Sequence, residues 1–246
     1  MPGSSREVRF DLRFDGRTIP VRVQVPSDPI RPVDLLPVLH QFNDTLIGAA
    51  VGERQVSCRA GCGACCRQMV PISETEALYL AEMIAAMPDR QRTQVTARFA
   101  EVIEALASNG LLDTLRAEPT ADPEERHRLG LEYFRAAIPC PFLENEACSI
   151  HRHRPASCRE YLVTSPAENC STPRAGNIDM VELPAKASRV LYRFGDGRGE
   201  QSTRWMALPL LLEWAAAHGD DTPTEMPGHE MFANFMNQLV TKKPPG

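Results

Sequence analysis

Four of the eight cysteines of this 246-residue chain fall between Ser57 and Met69, in the stretch SCRAGCGACCRQM, and no other feature restricts the fold as tightly. Cys58, Cys62, Cys65 and Cys66 give the spacing C-x3-C-x2-C-C. Gly61, Gly63 and Ala64 stand between the sulfurs, and such small residues let a backbone turn tightly around whatever the thiols face. This pattern predicts a metal nest. Cys140, Cys148, Cys158 and Cys170 follow far downstream, the first three within CPFLENEACSIHRHRPASCREY. Pro141 sits beside the first sulfur, and the short loop FLENEA reads as a small hairpin knuckle. Two knuckles so distant in sequence predict one shared site.

The cysteines do not replace a missing core, because 43% of the residues are hydrophobic, which is ordinary for a globular chain of this length. The start MPGSSREVRF has no apolar stretch of a secretory signal, and no run of about 18 apolar residues follows. A cytoplasmic location without membrane association is therefore expected. In that reducing compartment a dense cysteine set binds metal or does redox chemistry rather than forming structural disulfides. The net charge of -5 argues against nucleic acid as a partner.

Periodicity predicts a mostly α protein with a small N-terminal β-hairpin, an α+β chain whose helical domain is organised around the cysteines. Its expected segments are a hairpin over 1–30, a metal-binding domain over 31–170 and a helical segment over 171–246 packed on it. Val8, Phe10, Leu12 and Phe14 alternate with polar residues, Asp15-Gly16 supplies a turn, and Ile19, Val21, Val23 and Val25 alternate again. Pro29 and Pro32 end the strand, and Leu35, Leu36, Leu39, Phe42 and Leu46 mark a helix from Val33 to Ala50. His40 on that helix reads as a core or surface residue, with no histidine at i+4 to help it bind metal. Ser73 and Glu76 form a capping box for a helix to about Met87. That cap would put Cys66 near helix amides that favour thiolate charge. Helices are also expected over Arg90–Ala107 and Glu124–Ala137, separated by a polar loop from Glu118 to Glu125. Pro155 can open a short helix carrying Cys158, Arg159 and Tyr161. Trp205 to Trp214 should pack as a helix after a Gly195–Gly199 surface turn, and a last helix over Met231–Val240 should precede a frayed KKPPG tail.

Seven thiols exceed the four ligands of one structural zinc or one [4Fe–4S] cluster, so a cluster or two ions suits them better than one zinc. With so many sulfurs, His151 and His153 are less favoured as ligands. Arg154 and Arg159 can donate hydrogen bonds to thiolate or sulfide and offset its charge. No nucleophile–base pair, H-E-x-x-H or singled-out carboxylate pair is present, so any chemistry belongs to the metal.

The order C-x3-C-x2-C-C, then C-P-F-L, then C-S-I-x-x-x-R-P-x-x-C-R-x-Y closely resembles the YkgJ-type cysteine-cluster family from Cys58 to Tyr161. Flagellin lysine-N-methylases contain a similar domain. The resemblance implies bound zinc or iron and a ligand set of Cys58, Cys62, Cys65, Cys66, Cys140, Cys148 and Cys158, supported by Arg154, Pro155, Arg159 and Tyr161. It leaves Cys170 outside the set, and His151 stands where the family commonly has tyrosine. The leading expectation is a protein that chelates iron, as an Fe–S cluster, or zinc. The methylase likeness adds an iron-dependent enzyme acting on a protein or peptide, and a metal sensor or storage protein is a third reading. Cys58, Cys62 and Cys65 also have the spacing of radical S-adenosylmethionine enzymes. That family needs alternating strands and helices, whereas helix follows helix here, and it leaves Cys66 and the second knuckle unexplained. Which of the seven thiols are ligands stays open at this point.

Overall fold

Alternating apolar residues at the N-terminus build two antiparallel strands, β1 (Ser5–Phe14) and β2 (Arg17–Pro26), with Val8 opposite Val23, Phe10 opposite Val21 and Leu12 opposite Ile19. The computed structural model describes residues 4–14, 16–117, 122–174, 176–194, 205–218 and 224–241. Asp15 of the expected turn lies outside them, while Gly16 adopts φ 76°, the left-handed backbone that glycine tolerates. Leu12, Ile19, Val21, Val23 and Val25 are all buried, so one side of the hairpin is core.

A two-residue strand, β3 (Pro29–Ile30), leads into α1 (Pro32–Val51), whose first turn is held by Asp34 accepting from the Arg31 amide at 3.2 Å. Leu35, Leu36, Leu39, Phe42 and Leu46 of α1 pack into one cluster with the buried face of the hairpin. The short β4 (Pro71–Ile72) precedes α2 (Glu74–Ala85), and Ser73 and Glu76 form the expected capping box. Then come α3 (Asp89–Ser108), α4 (Leu112–Arg116) and α5 (Pro123–Arg135). The five-residue α4 was not expected. The polar-loop residues Glu118 to Ala121 lie outside the described residues.

A hairpin of β5 (Leu143–Glu144) and β6 (Ala147–Cys148) follows, then a single 3-10 turn at His151–His153 and α6 (Ala156–Glu160). After a 3-10 turn over Ala167–Ser171 the chain forms α7 (Ala187–Leu191). The expected Trp205 helix begins later than periodicity suggests. Met206–Ala207 is a strand, β7, paired with β4, and Pro209 lies in a 3-10 turn before α8 (Leu211–His218). Finally β8 (Met226–Pro227) pairs with β3 and continues into α9 (Gly228–Thr241), which starts three residues before the expected Met231. The Gly195–Gly199 turn and the KKPPG tail lie outside the described residues.

The protein is mostly helical with an N-terminal hairpin, as expected. Phe232, Phe235 and Leu239 of α9 complete the hairpin–α1 cluster, with Phe42 edge-on to Phe232 at 5.8 Å. A second cluster, around Ile72, Leu80, Val95 and Phe99, takes in Phe142 and Ile150, which flank the second cysteine knuckle. Phe142 meets Phe99 edge-on at 5.4 Å, so that knuckle is anchored to α3 by an aromatic contact. Among the described residues, no helix is long and apolar enough to cross a membrane.

Candidate metal centre

The first cysteine loop leaves α1 through Gly52 and is pinned where Ser57 donates its amide to the Val163 carbonyl at 2.9 Å. In return the Val163 amide donates to the Cys58 sulfur at 3.4 Å, a backbone hydrogen bond of the kind that stabilises thiolate charge. Successive tight turns then coil the loop. The amides of Cys62, Cys66 and Gln68 donate to the carbonyls of Arg59, Gly63 and Cys65 at 3.1, 2.9 and 3.1 Å. Gly61 has φ 88°, and a Cβ on Gly63 would lie 2.4 Å from the Glu146 carbonyl oxygen. Both glycines therefore do what the sequence asks of them, one by turning and the other by admitting the second knuckle.

That knuckle is the β5–β6 hairpin. Asn145 and Glu146 both have positive φ, 49° and 58°, the conformation of a two-residue turn matched to strand twist. Glutamate is a costly residue there, and its surroundings hold it. Arg67 donates to both of its carboxylate oxygens, at 2.7 and 2.9 Å, and its carbonyl abuts Gly63. On the far side Arg98 of α3 donates to the Pro141 carbonyl at 2.7 Å and pairs with Glu144. The Cys140 amide donates to the Cys66 carbonyl at 2.7 Å, joining the two loops through main chain.

Cys158 arrives on α6. The first amide of that helix, on Ala156, donates to the buried Glu76 carboxylate at 2.7 Å, and Ser157 donates to the Pro71 carbonyl at 2.8 Å. Hence the start of α2 presents a carboxylate to α6, and Cys66 stands seven positions before the Ser73 cap. Arg159 is directed away from the sulfurs. Its guanidinium bonds Asp44 at 2.8 and 3.0 Å, the Arg154 carbonyl at 2.7 Å and the Arg152 carbonyl, so it braces the loop carrying Arg154. Arg154 itself donates to the His151 carbonyl at 3.0 Å, and its charge favours thiolate at Cys58, Cys65, Cys148 and Cys158. Burial, then the charges of Arg154 and Arg159, hold the His151 imidazole below its ordinary pKa, which favours the neutral ring. His153 meets the Tyr79 hydroxyl at 2.7 Å, and His40 is buried with its Nε2 3.9 Å from Glu76.

The thiols converge electrostatically as well as in the chain trace. Burial pushes Cys140 up to about 12, and burial likewise raises Cys58, Cys148 and Cys158. Interaction between the neighbouring Cys65 and Cys66 thiols lowers Cys65 and raises Cys66. Cys65 lies within electrostatic reach of Cys58, Cys66, Cys140, Cys148, Cys158 and Cys170.

Cys170 is the residue that spacing did not single out. It is buried, its sulfur accepts from the Tyr161 hydroxyl, and its carbonyl accepts from Gln68 at 3.3 Å. Tyr161, expected as a supporting residue, thus reaches Cys170 through its hydroxyl, while its carbonyl lies 3.9 Å from the Cys58 sulfur. The one signal in sequence was Cys170's being the eighth cysteine of a chain that uses the others densely.

None of the eight cysteines is in a disulfide. Among the described residues, no three His, Cys, Asp or Glu side chains are already drawn together tightly enough to hold an ion. The thiols mark a region rather than a closed cage. Each sulfur is aimed by a single side-chain torsion, and nothing draws free thiols to one point until a cation binds them. The donor set is nevertheless specific in kind, since soft thiolates select zinc, iron and Fe–S clusters over hard cations.

A domain of cysteine-rich metal chelators is the class that this fold and donor set define. Residues 57–177 match the model of the CxxCxxCC family, described as "Putative zinc- or iron-chelating domain". The match extends past Tyr161 to include Cys170. No curated protein and no solved structure matches the chain.

Proposed function

We propose that the cysteine centre binds iron as an Fe–S cluster, within the zinc- or iron-chelating function that the family defines. The observation that supports this reading is the joining of thiol-bearing loops distant in sequence, where the Cys140 amide donates to the Cys66 carbonyl at 2.7 Å. The Val163 amide and the Arg154 guanidinium supply the hydrogen bond and positive charge that Fe–S clusters draw from their surroundings. A bound cluster would supply one-electron transfer. The residues of this chain hold the sulfurs and neutralise part of their charge. The free thiols suit a reducing compartment such as the cytoplasm.

The test is iron, zinc and acid-labile sulfide analysis, with an absorption spectrum, on protein purified without oxygen. Iron and sulfide in comparable amounts, with a broad band near about 400 nm that bleaches in air, is the expected result. Stoichiometric zinc without sulfide or colour would overturn the cluster and leave zinc chelation.

A further inference from the structure

Resting on that metal-binding reading, we infer that the eight thiols form two four-thiol centres divided at the Cys65–Cys66 peptide. One comprises Cys58, Cys62, Cys65 and Cys170, and the other Cys66, Cys140, Cys148 and Cys158. Two separate sets of contacts mark the division. On the first side, Cys58 packs against a cluster of Ala50, Leu162 and Val181. The loop holding Cys62 is tied to the Cys170 segment, where Ser171 donates to the Ala64 carbonyl at 3.2 Å. Gln68 spans the Tyr161 hydroxyl at 3.4 Å and the Cys170 carbonyl at 3.3 Å, closing that side.

On the second side, the Cys66 carbonyl takes the Cys140 amide, and both Cys140 and Cys148 pack against the cluster of Ile72, Phe99 and Phe142. Cys158 stands on α6, which docks beside that cluster through Ser157 and the Pro71 carbonyl. Electrostatically, Cys170 feels Cys65, Cys58 and Cys62, whereas Cys66 feels Cys140, Cys65 and Cys148, so Cys65 is common to both sides. Cys65 and Cys66, adjacent in the chain, are where the two sets touch. Chemistry favours the division, because four thiolates complete a tetrahedral zinc ion or the four corners of one cubane. A single centre would leave four buried or half-buried thiols without a metal.

Cobalt(II) titration of the metal-free full chain, kept reduced and without oxygen, counts the centres through the thiolate-to-cobalt absorption. The native protein should saturate at about two equivalents per chain, because each four-thiol set completes one tetrahedral ion. The double variants Cys62→Ser/Cys170→Ser and Cys140→Ser/Cys148→Ser should each keep about one. Saturation of the native chain at one equivalent would overturn the two-centre division while leaving metal binding intact. No binding at all would overturn both. Far-UV circular dichroism identifies a variant that fails to fold, and the single variants Cys170→Ser and Cys148→Ser then replace it. A folded variant that loses both equivalents would also overturn the division.

Discussion

The amide of Cys140 donates to the carbonyl of Cys66 across 2.7 Å, so the two cysteine loops are joined by main chain beside their sulfurs. The backbone positions of these two cysteines are therefore set by the fold before a metal binds. Preorganisation of this kind reduces the ordering that binding must bring about.

Gly63 tests that junction. A methyl group there would overlap the Glu146 carbonyl and Leu143, and the carbonyl belongs to backbone that no rotamer change can move aside. Gly63→Ala should cost about 2 kcal/mol, within the usual range for overpacking, and lower bound metal by displacing the β5–β6 hairpin. Gly61→Ala is the control. Its left-handed φ costs about 1 kcal/mol, but the space around it is open, so metal content should hold. Urea unfolding and metal analysis of the two variants make the comparison, and equal metal content in both would contradict it.

Arg159 tests the brace beneath Arg154. The planar guanidinium reaches Asp44 and two backbone carbonyls at once, which an ammonium cannot reproduce. Arg159→Lys should therefore behave much like Arg159→Ala, each losing about 2 kcal/mol in urea unfolding through the buried groups left unpaired. Full rescue by lysine would show that charge alone is what the position requires.

Buried Glu76 accepts from the Ser73 amide, the Ser73 hydroxyl and the Ala156 amide, joining the start of α2 to the helix bearing Cys158. Glu76→Ala leaves these donors without an acceptor and should cost about 3 kcal/mol. Glu76→Gln keeps one oxygen and should cost about half as much. Chemical denaturation ranks the two, and an alanine variant as stable as the native chain would contradict the role.

Much of this was legible in the chain, for physical reasons that differ by element. The β1–β2 alternation, the Ser73–Glu76 capping box and the apolar spacing of α1 and α3 are local patterns, and local patterns survive in sequence. The β3–β8 and β4–β7 pairs involve two residues each, too few to carry a period, and their partners lie far away in the chain. Five-residue α4 and α7 are likewise shorter than a helical repeat can mark. The first seven cysteines showed themselves by spacing and turn residues, whereas Cys170 joins them only through tertiary folding. The sequence also suggested Arg159 as a donor to sulfur, but its direction depends on Asp44, far upstream on α1.

Asp34 gives stability a pH dependence away from the thiols. The Arg31 hydrogen bond, with its charge, holds the Asp34 carboxyl below its ordinary value of 3.8. A depressed carboxylate contributes stability that is fully present above that value and is lost as pH falls through the lower, folded-state value. Asp34→Asn should thus be less stable than the native chain at pH 7 by about 0.5 kcal/mol, the scale of a solvent-screened pair. The difference should vanish as pH drops below the ordinary carboxylate range. Urea midpoints across that range report it, and a difference independent of pH would contradict the ion pair.

Metal bound per chain in native protein and in Cys65→Ser, both purified without oxygen, tests the central claim most directly. Cys65 lies within electrostatic reach of six of the other seven thiols. Stoichiometric iron or zinc in the native chain, with a marked loss in the variant, is the predicted result. A native chain that folds, keeps its thiols reduced and holds neither metal would contradict it.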